Sequence, residues 1–269
     1  MGLSALCLGH ANSRAQTAGK PLRLAVVPQL TPIEMSRFWT PVVDAMERAG
    51  IACELILYPS IASFEPEFLK GTADLVFLNP YHMVMAHKAH GYEPLLHDTR
   101  PLEGVLVVRE DSQLQRIEQL RLQRISFPAP NAFAASLYIR SVLDKQYHMP
   151  IDAHYAQNHR DAIRQVLSGD AQAAGVVKTT LEKESLEVQR QLRIIYTTPP
   201  LSPHPLAAHP RVSQRVRSEL VSVLLGLASN PTTQALMAGI QMPKPVPANY
   251  ARDYASLEHL SVEKYVVVE

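Results

Sequence analysis

Cysteine is almost absent from this chain: Cys7 and Cys53 are the only two in 269 residues. That excludes a disulfide framework and a cysteine-built structural metal site. A charge excess is absent too, with 26 Lys and Arg against 25 Asp and Glu. Without a basic surplus there is nothing to neutralise a phosphate backbone, so nucleic acid is not an expected partner. No uninterrupted apolar run approaches the roughly 20 residues needed to cross a bilayer, and the 21 prolines are scattered instead of forming a linker. G-x-S-x-G and H-E-x-x-H are missing, as is the glycine signature of a phosphate loop. No catalytic machinery is visible, so an enzyme is not expected, and neither is a cofactor or a metal.

What is present is the composition of a globular protein, 46% hydrophobic and 19% charged. Residues 1–20 stand apart. GLSALCLGHANSRAQTAGK has a short apolar core followed by small residues around Ala15 and Ala18, which reads as the remnant of a secretory signal or as a disordered tail. Its positively charged beginning is missing, so either the start lies upstream or the numbering begins inside the signal. The bulky Leu6 before Cys7 argues against a lipid anchor there.

From Pro21 strands and helices alternate. Strands are expected at 22–28, 52–59 and 73–80, with helices at 34–50, 64–71 and 81–92, the last stopped by Gly91. Two apolar strands follow at 93–98 and 104–111. The plan then restarts with strands at 124–130, 152–157, 170–177 and 192–200, and helices at 132–147, 160–169 and 179–191. Further helices are expected around 211–228 and 231–239. Such alternation calls for parallel strands with helices on both faces. The reading is an α/β protein of two lobes: residues 21–100 begin lobe 1, 101–200 form lobe 2, and 201–269 return to lobe 1. Crossings near 98–104 and 197–205 would hinge a cleft at the C-terminal ends of strands, where α/β sheets bind ligands.

Two turns face that cleft. In FPAPNAFAAS, Pro128 and Pro130 hold the approach extended, and Asn131 is placed to cap a helix whose small first turn, Ala132, Phe133 and Ala134, offers unpaired N–H groups. Together with the helix dipole those donors suit an anion; an ordinary capped helix is the alternative. In DLVFLNPYHM, Asn79 caps the next helix and Tyr81 brings a hydroxyl. His82, His87 and His90 share a helix but lack a third ligand at a suitable spacing, so no metal is expected. His159 opens a helix after Asn158, either donating to a ligand or merely following a cap. His204 and His209 each precede a proline in or near the second crossing. The candidate set also takes in Ser136, Lys178 and Thr179.

DLVFLNPYHMV, ISFPAPNAFAAS, NHRDAIRQVLSGDAQAAGVV and YTTPPLSPHPLAAHPRV, in that order, resemble the periplasmic phosphonate-binding proteins of ABC transporters, over about residues 22–260. The resemblance implies a bilobal type 2 periplasmic binding fold, with two parallel or mixed sheets and a ligand cleft between lobes. In relatives that bind phosphonates, the turn matching Pro130, Asn131 and Ala132 carries hydroxyls that grip the phosphonate; here only backbone amides remain. The family histidine matches His159, and the aromatic hydroxyl of the first lobe matches Tyr81, or Asn79 if gaps shift it. Aminoalkylphosphonate binders hold the ligand amine with an acid where this chain has His204, which implies a ligand without an amine. The expectation is a periplasmic, monomeric protein that captures phosphate, phosphite, a phosphonate or a related oxyanion for an ABC permease. The alternative is a sensor of an oxyanion such as arsenite, signalling to an inner-membrane histidine kinase, a role in which relatives use a cysteine.

Overall fold

The computed structural model describes residues 20–267. The leader expected ahead of Pro21 lies outside the described residues, except for Lys20.

The chain begins with β1 (Leu22–Val26), α1 (Pro32–Arg48), β2 (Cys53–Ile56), α2 (Ile61–Leu69), β3 (Leu75–Phe77), α3 (Pro80–His90) and β4 (Glu93–Asp98). Local chemistry sets the helix starts. Thr31 caps α1 in a reciprocal box with Glu34, and Pro32 occupies its first position, so the helix begins two residues earlier than its apolar spacing suggests. Ser60 caps α2, and Asn79 caps α3 by accepting from His82 N at 2.7 Å. Gly91, in the left-handed region, ends α3.

After a crossing come β5 (Gly104–Arg109), β6 (Arg124–Phe127), one turn of π-helix at Phe133–Leu137 that runs directly into α4 (Tyr138–Lys145), β7 (Asp152–Tyr155), α5 (His159–Ser168) and β8 (Ala173–Val177). The single helix expected at 179–191 is instead two short ones, α6 (Lys178–Leu181) and α7 (Leu186–Arg190), because Ser185 starts a new helix by accepting from Val188 N. Then follow β9 (Leu192–Thr197), a second crossing, β10 (Pro205–Ala208), α8 (Gln214–Ser229), α9 (Gln234–Gly239), β11 (Pro245–Pro247) and α10 (Tyr250–Asp253).

Two sheets result. The first has the order β11-β4-β10-β3-β1-β2 and the second β7-β6-β8-β5-β9. Each contains a parallel trio, β3-β1-β2 and β7-β6-β8, extended by antiparallel strands. The crossings are tied to each other, with Leu102 and Leu201 exchanging both backbone hydrogen bonds at 2.9 Å. That bridge makes a two-stranded hinge.

Trp39 and Val42 of α1 and Phe64 and Phe68 of α2 share one buried core with Leu24, Leu75 and Phe77 of the first sheet. The second carries separate apolar clusters, one with Val105, Val107 and Ile163, the other with Leu106, Phe127 and Ile139. Phe133, Ala134 and Leu137 of the second lobe belong to the first lobe's core. The lobes are therefore packed against each other. Residues 260–267, expected within the first lobe, run across to α4: Lys145 Nζ donates to Leu260 O and Ser261 O, and Arg140 to Tyr265 O at 2.8 Å.

Candidate functional site: a polar cavity between the lobes

Every parallel strand ends on the same side, and the loops leaving those ends enclose a cavity of about 30 Å³. Its walls come from both lobes: Gln29 after β1, Ile61 at the start of α2, Asn79 at the start of α3, Ala132 to Ala135, His159 at the start of α5, and His204 in the second crossing. Four helix starts thus border the cavity with the positive ends of their dipoles, although at α3 Pro80 has no N–H and His82 N is already bonded to Asn79. Among the described residues, no Asp, Glu, Lys or Arg lines the cavity.

Residues 132–137 are pressed onto the second sheet. A Cβ on Gly104 would come within 2.1 Å of Ala134 O, and one on Gly175 within 2.3 Å of Ala135 O. Only glycine at those two strand positions lets the backbone approach so closely. The turn is wide, because Leu137 N reaches back to Ala132 O at 3.1 Å and Tyr138 N to Phe133 O. Such π-turns recur at functional sites.

The expected cap by Asn131 is not formed. Position 132 has the cap geometry without a side-chain hydrogen bond. Asn131 turns toward the other lobe and the chain's end: its amide donates to Glu65 Oε1 and to Val267 O, both at 2.9 Å, and accepts from Val267 N at 3.0 Å. Asn79 Nδ2 donates to Asn131 O at 3.3 Å. Diversion of the cap leaves the N–H groups of Phe133, Ala134 and Ala135 without a hydrogen bond to any other described residue outside the helix.

Both cavity histidines are neutral, and neighbours fix their tautomers. Val177 N donates to His159 Nδ1 at 3.4 Å, which places the imidazole proton on Nε2. Burial pushes the pKa of His159 down to about 4. Gln29 Nε2 donates to His204 Nε2 at 2.8 Å, and Gln29 Oε1 in turn accepts from Gln241 Nε2, so the His204 proton sits on Nδ1. Burial, with His82 and His159 nearby, pushes His204 down to about 3. Each ring thus has one N–H that no other described residue accepts. The described residues around the cavity thus offer neutral donors and no charged side chain. Such a lining can receive a negative charge.

The other expected residues fall elsewhere. Tyr81 is buried against Phe133, and its hydroxyl meets Glu263, not the cavity; burial first and that carboxylate second keep the phenol protonated. Ser136 is fully buried and accepts from Arg140 Nε at 3.1 Å. Pro130 lines the outer cleft, with its carbonyl held by Arg140 at 2.6 Å. Lys178 is paired with Glu103 at 2.9 Å, and Thr179 faces a neighbouring hollow with Asp98 and Lys183. Gln29 escaped the sequence reading. Its signal was available, since it follows the C-terminal end of a parallel strand.

A family model described as the periplasmic substrate-binding protein of a phosphonate ABC transporter matches residues 24–254. No curated protein sequence matches the chain. Among solved structures, PhnD1 from Prochlorococcus marinus in complex with methylphosphonate is 16% identical, with a TM-score of 0.79 over 90% of this chain and 97% of that one. A binding protein component of an ABC phosphonate transporter from Pseudomonas aeruginosa is 15% identical, with a TM-score of 0.79 over 90% and 86%. A Xanthomonas citri protein bound to ATP is 16% identical, with a TM-score of 0.70 over 92% and 98%. These structures share its fold.

Proposed function

The chain belongs to the family of periplasmic phosphonate-binding proteins of ABC transporters, and from that premise we propose that its cavity captures a small oxyanion, a phosphonate, phosphite or phosphate, for delivery to a membrane permease. The arrangement of four helix starts and two neutral imidazole N–H groups around one uncharged cavity carries the reading. Fixed dipoles stabilise an anion without the desolvated counter-ion that a buried ion pair requires. Phe133, Ala134 and Ala135 supply backbone donors, His159 Nε2 and His204 Nδ1 supply ring donors, and Asn79 sets the start of α3 opposite them. The protein binds without chemical turnover and acts as a monomer.

The family match is to transport components, and the arsenite-sensing alternative draws no support from it. Cys53 starts β2, paired with Leu22 at the end of the sheet away from the cavity, and its thiol is pushed up to about 12, by burial first. A thiolate trap for arsenic is therefore not built there. The family is periplasmic, and no described helix is long and apolar enough to cross a membrane. Export by the segment ahead of Pro21 completes the reading.

Titration calorimetry with phosphite, phosphate, methylphosphonate, sulfate and arsenite tests it. Binding of at least one phosphorus oxyanion is expected. Ala132→Asp, which sets a carboxylate into the cavity wall, should abolish that binding while leaving the melting temperature nearly unchanged. Equal affinity in the variant would refute the site.

A further inference from the structure

Three of the four helix starts at the cavity have an asparagine ahead of them, and only two of the three behave alike. Asn79 caps α3 by accepting from His82 N at 2.7 Å, and Asn158 caps α5 by accepting from Asp161 N at 2.9 Å. Asn131 caps nothing, although its own turn offers it donors: with Ala132 drawn into the helix as first residue, Phe133 N and Ala134 N would lie where an N-cap oxygen accepts. Its side chain is held elsewhere. Asn131 Oδ1, the atom a cap needs, accepts from Val267 N at 3.0 Å, and Nδ2 donates to Glu65 Oε1 and Val267 O, both at 2.9 Å. Asn79 Nδ2 holds the backbone at the same residue, donating to Asn131 O at 3.3 Å. Ala132 is left in the cap position with no side-chain acceptor, and its carbonyl accepts from both Ser136 N and Leu137 N, the latter closing the π-turn. Glu65 is buried in α2, where a carboxylate loses its water and needs partners in return; Asn131 and His82, at 3.1 Å, supply them. Beside the uncapped turn the buried His159 lines the same cavity, its Nε2 unpartnered among the described residues.

We propose that Glu65 and the Val267 backbone are positioning groups for anion capture: by holding the Asn131 amide they keep it from capping its own helix, and so keep Phe133 N and Ala134 N available to the ligand. The inference rests on the anion reading above and adds a competitor that lies within the chain. A cap and an anion need the same donors, because each sets an oxygen against the N–H groups of the first turn. Were Asn131 free, an arriving anion would first have to break the cap, and affinity would fall by the worth of that cap, about fivefold. Glu65 belongs to the first lobe and Asn131 to the second, so their bond lasts only while the lobes are packed together. Apart, Asn131 can return to its helix and compete with the ligand.

Calorimetry with phosphite and methylphosphonate on full-chain variants tests this. Asn131→Ala and Asn131→Ser lose the same bonds to Glu65 and Val267, but only serine can cap, so Asn131→Ser should bind at least about fivefold more weakly than Asn131→Ala. A purely structural Asn131 gives equal affinities for the pair, and that result would overturn the proposal. Glu65→Met combined with Val267→Pro removes the acceptor on the first lobe and the donor to Oδ1. Binding should again weaken by about fivefold, and adding Asn131→Ala should restore most of it. A further loss in the triple variant would also overturn the proposal. Glu65→Gln keeps Oε1 as an acceptor and should bind within about twofold of the parent; a loss equal to that of the released variant would assign the effect to the carboxylate charge and refute the hold on Asn131. The serine and alanine pair is decisive even if the multiple variants fail to fold. If neither phosphite nor methylphosphonate binds the unmodified chain, the anion reading falls and this one with it; if the parent binds and the pair agrees, only the positioning role falls.

Discussion

Asn131 of the second lobe donates a hydrogen bond to Glu65 of the first at 2.9 Å, across 66 residues of sequence. Glu65 Oε1 also stands 3.1 Å from His82 Nε2, and all three groups are buried. The rest of the Asn131 amide is satisfied by the backbone of Val267, at 2.9 and 3.0 Å. One side chain thus joins two lobes and the C-terminal segment at the edge of the cavity. Its loss would leave the buried Glu65 carboxyl with His82 as its remaining partner and would release the Val267 backbone.

Asn131→Ala should destabilise the protein by about 1 to 3 kcal/mol, the summed net worth of the hydrogen bonds to Glu65 and Val267 at about 0.5 to 1.5 kcal/mol each. Asn131→Asp should do more to the lobes than to the fold, because it sets a second carboxyl against Glu65 in a site of low polarity. Small-angle scattering of the aspartate variant should show a larger radius of gyration than the parent. An unchanged scattering profile would mean that the lobes are held shut by other contacts.

Gly104 and Gly175 position the anion turn from below. Gly104→Ala and Gly175→Ala each drive a methyl into a carbonyl of that turn, at Ala134 and Ala135. Overpacking of this kind costs about 1 to 3 kcal/mol, and the displaced backbone is the same one that offers the free donors. Chemical denaturation and ligand titration should both deteriorate in these variants. Lost stability with intact affinity would show that the donors follow the turn as it shifts.

The alternation of strands and helices, the two crossings, the Asn79 cap and the position of His159 were legible because each depends on residues near one another in sequence. Asn131 was misread for the complementary reason. Locally, a proline-flanked asparagine before a small helical turn is a cap, but its partners lie 66 and 136 positions away. Tyr81 was placed correctly in the chain, one residue past the start of α3, yet its ring rotates onto Phe133 and Glu263. Nothing within a short window of sequence encodes that choice. The two glycines carry no local signal either, since the carbonyls they accommodate arrive from another element.

Cys53 provides a separate test of whether thiol chemistry enters ligand capture. Its sulfur begins an outer strand, and burial, followed by the nearby Asp74 and Glu47 carboxylates, keeps it protonated. Alkylation by iodoacetamide at pH 8 should be far slower than for a free cysteine, because only the thiolate attacks. Cys53→Ser should leave oxyanion affinity unchanged, as read by calorimetry. A loss of arsenite binding in that variant would restore the sensing role.

The two cavity histidines make stability and binding respond to acid in opposite directions. Their folded pKa values, about 4 for His159 and about 3 for His204, lie below the unfolded value near 6.5. The unfolded chain therefore takes up protons first, and the ligand-free protein should lose stability as the pH falls from about 6.5 toward 4. For His159, buried at 8% exposure, the loss is at most about 3 kcal/mol. A bound anion stabilises the protonated rings, so it should raise both pKa values and shrink that loss. Denaturation curves at pH 7.5, 6 and 5, with and without saturating methylphosphonate, will separate these effects. His159→Gln should flatten the ligand-free profile and weaken binding by about 1.5 to 3 kcal/mol if the ring donates to the anion. A flattened profile with unchanged affinity would make His159 a buried strut between Val177 and α5, and would leave the backbone amides as the anion's principal hold.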